Sequence, residues 1–306
     1  MRDEACRSWV RLALEGADDF VFLTGDLGFR ALEPLRDALG ERFVNAGVAE
    51  QNMVSVAAGL ASQGFSAWAY SIAPFCYARP YEQIRNDVCL HRLPVKLVGN
   101  GGGYAYGAMG ATHHGLEDYG ALLPLPGMRV FVPAFAADVE AVVRKLAALD
   151  APAYLRLGRC EAPADFTPKG WSAWRRVLRG TAGSAVVVGP LAGGLLARLR
   201  TLPRHERPTL WLVGELPIDA TTLPEALLDD LGTSPRLLVA EEHVESGGLG
   251  HALAKCLLER GVRLERFEHA HARGYPSGRY GSQAWHRREC GLDAESLTRR
   301  IGRLRA

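Results

Sequence analysis

Residues 43–70 read FVNAGVAEQNMVSVAAGLASQGFSAWAY, and this stretch decides the fold. Phe43–Asn45 is a short strand in this reading. From Ala49 small and apolar residues recur at helical spacing until Gly64, a strong C-terminal stop. Ser66–Tyr70 then reads as strand again. Strands alternating with a helix of more than ten residues argue for a mostly parallel α/β sheet.

Working outward, the same alternation continues on both sides. Phe20–Thr24 (FVFLT) is a strand ending at Gly25-Asp26, and Tyr81–Leu90 reads as helix, with Ile84 and Val88 four apart. Val95–Val98 is a strand running into a glycine-dense loop, Gly99 to Gly110. Arg129–Val132 and Ala153–Leu157 are strands flanking a helix over Ala136–Leu149. After Arg159 the pattern lapses, and 166–181 reads as a linker with a little extended structure. A second series follows, with strands at Gly183–Gly189, Thr209–Val213 and Leu237–Ala240, a helix over Gly250–Glu259, and a terminal helix capped by Asp293. The expectation is two three-layer α/β domains, 1–165 and 182–306.

Composition narrows the function classes. Lys plus Arg number 36 against 34 Asp plus Glu, a formal net charge of +2, which argues against a nucleic-acid binder with its clustered basic surplus. Cys6, Cys76, Cys89, Cys160, Cys256 and Cys290 are scattered without a C-x-x-C, so a disulfide scaffold or zinc ribbon is not expected. The N-terminus MRDEACRSWVRLALEG has no apolar core of a signal peptide, and no 18 apolar residues run together. A soluble, cytoplasmic protein without membrane contact is the expectation.

Motif signals are few. Gly101-Gly102-Gly103 follows a strand, but a dinucleotide-binding loop must open a helix, and glycine recurs at 107 and 110. There is no G-x-x-x-x-G-K-[ST], H-E-x-x-H or G-x-S-x-G. Glu50, at the start of the helix in 43–70, reads on its own as a dipole-favouring, solvent-facing residue. Ala111-Thr112-His113-His114-Gly115-Leu116-Glu117-Asp118 closes the glycine loop; adjacent histidines point different ways, so one of them can face a cleft.

In order and spacing these segments have a specific match. Residues 20–160 resemble the pyrimidine-binding domain of thiamine-diphosphate enzymes of the transketolase family, both two-subunit transketolases and 1-deoxyxylulose-5-phosphate synthases. The matching pieces are Gly25-Asp26-Leu27, Gly47-Val48-Ala49-Glu50-Gln51, Phe75 with Arg79-Pro80-Tyr81-Glu82-Gln83-Ile84, Thr112–Asp118, Pro126-Gly127-Met128 and Tyr154–Arg159. Residues 181–306 are similar to the family's C-terminal domain, through Glu241-Glu242-His243, Gly247-Gly248-Leu249-Gly250 and Gly278 with Gly281.

The resemblance implies site roles. In that family a Glu hydrogen-bonds N1′ of the cofactor's aminopyrimidine and so promotes loss of the thiazolium C2 proton; the GVAE position makes Glu50 the candidate. Val48 and the small-residue helix are expected to give it an apolar setting. Phe75 stands where an aromatic ring stacks on the aminopyrimidine, Ile72 occupies the position of a second aromatic, and Asp26 lies in the cofactor-binding loop. His113 matches the histidine that bonds substrate oxygens near the reacting carbonyl. Arg159 and Arg79 match phosphate-holding positions, where a guanidinium grips an oxyanion bidentately; Arg156 reads as a surface ion pair.

Two departures from the family shape the expectation. Met109 stands where transketolases commonly carry an acidic residue, and Gly101 where they carry a histidine, so a modified or otherwise atypical sugar is expected. No G-D-G occurs in the 306 residues. Mg²⁺ and the diphosphate are then held by a separate, alpha-type partner chain in an α2β2 assembly, and this chain supplies no metal ligand. The expected reaction is transfer of a two-carbon ketol unit from a ketose to an aldehyde. The alternatives are the beta-type component of a 2-oxoacid decarboxylase-like, acyl-transferring enzyme and a non-catalytic partner of the diphosphate-binding chain.

Overall fold

In the computed structural model, which describes residues 1–160 and 162–305, the chain opens with α1 (Arg2–Leu14) and β1 (Phe20–Thr24). There follow α2 (Glu33–Leu39), β2 (Phe43–Asn45), α3 (Glu50–Ser62), β3 (Ser66–Ile72), α4 (Ala73–Tyr77) and α5 (Tyr81–Gln83). Next come β4 (Lys96–Asn100), α6 (Asp118–Leu122), β5 (Arg129–Phe131), α7 (Val139–Ala147) and β6 (Ala153–Leu157). The expected helix over 81–90 departs from α geometry, since α5 runs on as a π-helical stretch through Ile84–Cys89. Ile84, Val88 and Cys89 are all fully buried there.

The second half contains β7 (Trp174–Leu178), β8 (Ser184–Val188), α8 (Leu191–Arg200), β9 (Thr209–Val213), β10 (Glu215–Leu216) and α9 (Glu225–Thr233). It ends with β11 (Arg236–Ala240), α10 (Leu249–Glu259), β12 (Arg266–Ala270), α11 (Gln283–Cys290) and α12 (Ala294–Arg305). The extended structure expected inside 166–181 is β7, an edge strand antiparallel to β9. Asp293 caps α12 as expected, its carboxylate accepting from the Ser296 amide at 3.0 Å.

Two sheets result, ordered β10-β5-β6-β4-β3-β1-β2 and β12-β11-β8-β9-β7. Every pairing is parallel except at β10 and β7. Strands covered by helices on both faces read as nearly continuous apolar runs, and β1, β6, β8 and β9 are buried at every position, Arg156 in β6 being the one charged residue among them. Helices instead bury one stripe: α7 buries Val139, Val142, Val143 and Leu146. α1 docks through Trp9, whose ring lies 4.8 Å from that of Phe22 and edge-on to Trp68 at 5.9 Å.

β10 comes from the second half yet extends the first sheet, where Glu215 pairs with Arg129 and, at 2.7 Å, with Lys145. The sheet therefore stitches the two halves together. Among the described residues no helix is long and apolar enough to cross a membrane.

Candidate active site

The carboxyl ends of parallel strands are where α/β sheets present loops to ligands, and the first such loops here are tied by one side chain. Asn45, the last residue of β2, donates through Nδ2 to Asp26 Oδ1 at 2.9 Å. Its Oδ1 accepts from the amides of Asp26 and Gly47, both at 3.0 Å. Asp26 itself has φ 57°, a left-handed conformation that Asp tolerates better than most residues. The carboxamide thereby fixes the loop after β1 against the turn that starts α3.

Glu50 is the first residue of α3 and only 4% exposed. The solvent-facing carboxylate that a helix-start Glu suggests is not what forms. The expected screen from Val48 is also not found, because Val48 is 73% exposed. Glu50 is covered instead by Gly25, where an added Cβ would lie 3.6 Å from its Cγ, and by Arg79. Arg79 Nη1 donates to both carboxylate oxygens, at 2.9 and 3.0 Å.

The same guanidinium lies 3.9 Å above the Phe75 ring. Phe75, half-buried in α4, meets the His113 ring edge-on at 5.2 Å. Glu50, Phe75, Arg79 and His113 are thus one cluster, although they come from three separate segments. His113 takes a contact from Thr112 Oγ1 at Nδ1, 2.9 Å away, which leaves Nε2 unengaged by that neighbour. Ile72 is the last residue of β3 rather than part of the Phe75 helix, and it is 8% exposed.

Met109 is 55% exposed in a single 3₁₀ turn, Gly107–Met109. Arg159 lies apart from Arg79, lining a cavity of about 280 Å³ with Arg2, Asn100, Gly101 and Tyr106. The Tyr106 ring fills the space over Gly101: a Cβ at 101 would lie 2.1 Å from it. Tyr106 also accepts from Asn100 Nδ2 at 2.8 Å and sits 5.9 Å from the His113 ring. A phenol therefore stands beside the position where the sequence shows glycine in place of a histidine.

The two histidines do diverge. His114 is buried, donating from Nε2 to the Gly107 carbonyl and accepting at Nδ1 from Tyr275, both at 2.8 Å. Burial pushes its pKa below the usual histidine value. Arg156 is ion-paired, as expected, but in the interior: it meets Asp118 at 2.7 Å with both side chains at most 3% exposed. Its Nη2 also donates to the carbonyls of Gly115 and Glu242.

Glu242 entered the sequence reading only as part of the Glu241-Glu242-His243 match, and its structural role was not legible there. Its carboxylate accepts from the Tyr104 amide at 2.8 Å and from Arg287 at 2.6 and 2.9 Å. Burial pushes this carboxyl's pKa up, but Arg287, Gln283 and the Tyr104 amide more than offset that and hold it low. Gly103 makes room for it, since a Cβ there would lie 2.7 Å from the carboxyl carbon. The second half of the chain thus anchors the glycine loop that leads to His113.

This arrangement places a buried carboxylate, an aromatic face and an imidazole together, next to a cavity lined by Arg2, Asp3 and Arg159. Residues 3–164 match the family described as transketolase, pyrimidine binding domain. The chain is 30% identical over 272 residues to one of the subunits of apulose-4-phosphate transketolase from Phocaeicola vulgatus, covering 84% of this chain and 85% of that protein. It is 31% identical over 260 residues to a 6-deoxy-6-sulfo-D-fructose transketolase subunit from Clostridium sp. strain MSTE9, covering 82% and 80%. A solved split gene transketolase, an inactive beta4 tetramer, superposes with a TM-score of 0.85 at 29% identity, over 99% of this chain and 97% of that one. On these matches, the chain belongs to the transketolase family and carries its pyrimidine-binding domain.

Proposed function

We propose that this chain is the beta-type subunit of a two-component transketolase, moving a two-carbon ketol unit from a ketose, atypical or modified, to an aldehyde. The observation that carries the proposal is the Glu50–Phe75–His113 cluster in a chain that spans the apulose-4-phosphate transketolase subunit over 85% of its length. Relatives named for apulose-4-phosphate and 6-deoxy-6-sulfofructose support a modified sugar.

The residues fit thiamine diphosphate, and Arg79 is the evidence of fit. A flat cation with several N–H donors already occupies the Phe75 face while bonding Glu50. A donor-bearing aromatic ring finds the same two partners there. When bound, that cofactor supplies a nucleophilic carbon that holds the two-carbon fragment between donor and acceptor. Glu50 then holds a proton or hydrogen bond at its carboxylate, and Phe75 orients the ring by stacking, worth about 0.5–1.5 kcal/mol for an aromatic pair. In this reading His113 bonds substrate oxygens, and Arg159 holds an anionic substrate end from the cavity that Arg2 and its partner Asp3 also line. Asp26, Val48 and Ile72 form the rest of the cofactor face in this proposal, and Met109 lines the sugar side.

The diphosphate and Mg²⁺ are assigned to an alpha-type partner in an α2β2 assembly, since the relatives are named as transketolase subunits. Residues 1–165 would form the pyrimidine-binding unit and 182–306 the C-terminal unit. The experiment is reconstitution. Alone, the chain should neither turn over nor bind thiamine diphosphate with Mg²⁺ tightly, and both should appear on adding the partner. Metal-dependent binding by the chain alone at about −8 kcal/mol or stronger overturns the two-component reading.

A further inference from the structure

A second group of chemistry-bearing side chains lies far along the chain from the cluster just described. Glu245 in the loop after β11, His251 in the first turn of α10 and His269 in β12 each offer a ligand atom, and these atoms lie within 4.8 Å of one another. They gather at the carboxyl edge of two adjacent parallel strands, β11 and β12.

The chemistry of His269 is fixed by what stands behind it. Its Nε2 lies 2.6 Å from Glu241 Oε1, and Glu241 is fully buried. That carboxylate also accepts from the amides of Leu249 at 2.7 Å and Gly250 at 2.9 Å and from the Tyr119 hydroxyl. With Glu241 acting as the acceptor of all these bonds, His269 presents an N–H at Nε2 to Oε1 and keeps its lone pair on Nδ1. A carboxylate behind the distal nitrogen is the arrangement that orients metal-binding histidines and raises their basicity. Gly250 makes the approach possible, because a Cβ there would lie 2.5 Å from the His269 ring.

His271 repeats the logic nearby. Its Nδ1 bonds the Ala272 carbonyl at 3.1 Å, and its Nε2 lies 3.9 Å from Glu245 Oε2. One imidazole held from behind (His269), a second imidazole (His251) and an exposed carboxylate (Glu245) are a donor set for zinc-class ions, not for the hard, oxygen-loving Mg²⁺. Bonds of about 2.0–2.1 Å put tetrahedral ligand atoms about 3.3 Å apart. Glu245 and His251 are both exposed, so their side chains are free to close from within 4.8 Å toward that spacing on binding an ion.

We propose that Glu245, His251 and His269 form a divalent zinc-class metal site on the second half of the chain, with His271 beside its open position. An ion there cross-links the loop after β11, the start of α10 and the end of β12. Through Glu241 and Tyr119 it also bears on α6, in the first half.

The test is Zn²⁺ titration of the untagged, EDTA-treated full chain against a chromophoric chelator, with Co²⁺ absorption as a second probe. One equivalent should bind with a Kd of about 1 μM or tighter, excess Mg²⁺ should not compete, and the Co²⁺ spectrum should show nitrogen and oxygen ligation without a thiolate charge-transfer band. His251→Asn and Glu245→Gln alter exposed side chains and should fold normally; each should weaken Zn²⁺ binding about tenfold or more. Absence of stoichiometric binding overturns the site. So does binding that survives both substitutions together, or a thiolate band, because either places the ion elsewhere.

Discussion

Arg79 Nη1 reaches both oxygens of Glu50, at 2.9 and 3.0 Å, while its guanidinium covers Phe75 at 3.9 Å. One side chain thus holds the two partners that the proposed cofactor ring needs. Arg79 is 46% exposed, so it has somewhere to go. The pair closes over a buried carboxylate from the solvent side.

Displacing Arg79 has a measurable cost. A half-exposed ion pair contributes about 0–1 kcal/mol and a cation over an aromatic ring about 0.5–1 kcal/mol. Arg79→Met removes both, so the reconstituted pair should bind thiamine diphosphate several-fold more tightly, while KM for a phosphorylated substrate rises if the freed guanidinium takes the phosphate. Titration by intrinsic fluorescence reads the first effect and steady-state kinetics the second. Unchanged affinity would show that the Arg79–Glu50 contact does not compete with the cofactor.

Gly101 and Tyr106 should behave as one unit. Gly101 has φ +79°, and a Cβ there would lie 2.1 Å from the Tyr106 ring. Gly101→Ala should cost the backbone strain of about 1–2 kcal/mol plus overpacking of about 1–3 kcal/mol. In a Tyr106→Ala background only the strain remains. Urea unfolding of the four-member cycle therefore should show a coupling energy in the range of about 0.5–3 kcal/mol for contacting residues. Additive losses would mean that Tyr106 does not fill the space over Gly101.

The alternation of strands and helices was legible because period-2 and period-3.6 patterns are local, and 43–70 folds as read. Glu50, Phe75 and His113 could be named from motif order, and they meet in space. What could not be read were the tertiary partners. Nothing near Glu50 in sequence announces Arg79, 29 residues away. Nothing in a glycine loop announces that Tyr106 fills one of its gaps or that Glu242 anchors its Tyr104 amide, 138 residues off. Asn45 was hidden for another reason, since a strand-ending Asn is common and its role as a tie between loops depends on the parallel register of β1 and β2. The burial of Arg156 was missed because a lone Arg in a strand gives no sign of the Asp118 carboxylate that receives it.

Acid should loosen the junction between the halves before carboxylates titrate. His114, His243 and His286 are all buried, and burial lowers each pKa below the ordinary value of 6.5. His243 is held neutral: its Nε2 accepts from the Gly120 amide at 3.0 Å and its Nδ1 lies 2.7 Å from the Val244 carbonyl. The unfolded chain binds protons at these rings first, so stability is full above about pH 6.5 and falls as pH drops toward the lowered folded values. Each histidine contributes a slope of at most about 1.4 kcal/mol per pH unit. The urea midpoint should therefore fall between pH 7.5 and 5.5, and His243→Gln should flatten the fall. A midpoint independent of pH across that window would show that these rings bind protons equally in the folded and unfolded chain.

The catalytic assignment rests on Glu50. Glu50→Gln keeps the size of the side chain and a hydrogen bond to the cofactor ring, but it cannot exchange a proton there. Arg79 loses an anionic partner and, being half exposed, can solvate its guanidinium, so fold and subunit association should survive. Exchange of the thiazolium C2 proton into deuterated buffer, followed by NMR after acid quench on the reconstituted pair, should slow by about 10²–10⁴-fold, the usual loss for a positioned acid–base group. The readout needs no knowledge of the sugar. It also separates Glu50 from Arg79, since Arg79→Met should leave C2 exchange at saturating cofactor near the wild-type rate. If Glu50→Gln exchanges within a few-fold of wild type, the buried carboxylate only anchors Arg79 and the proton is moved by another group.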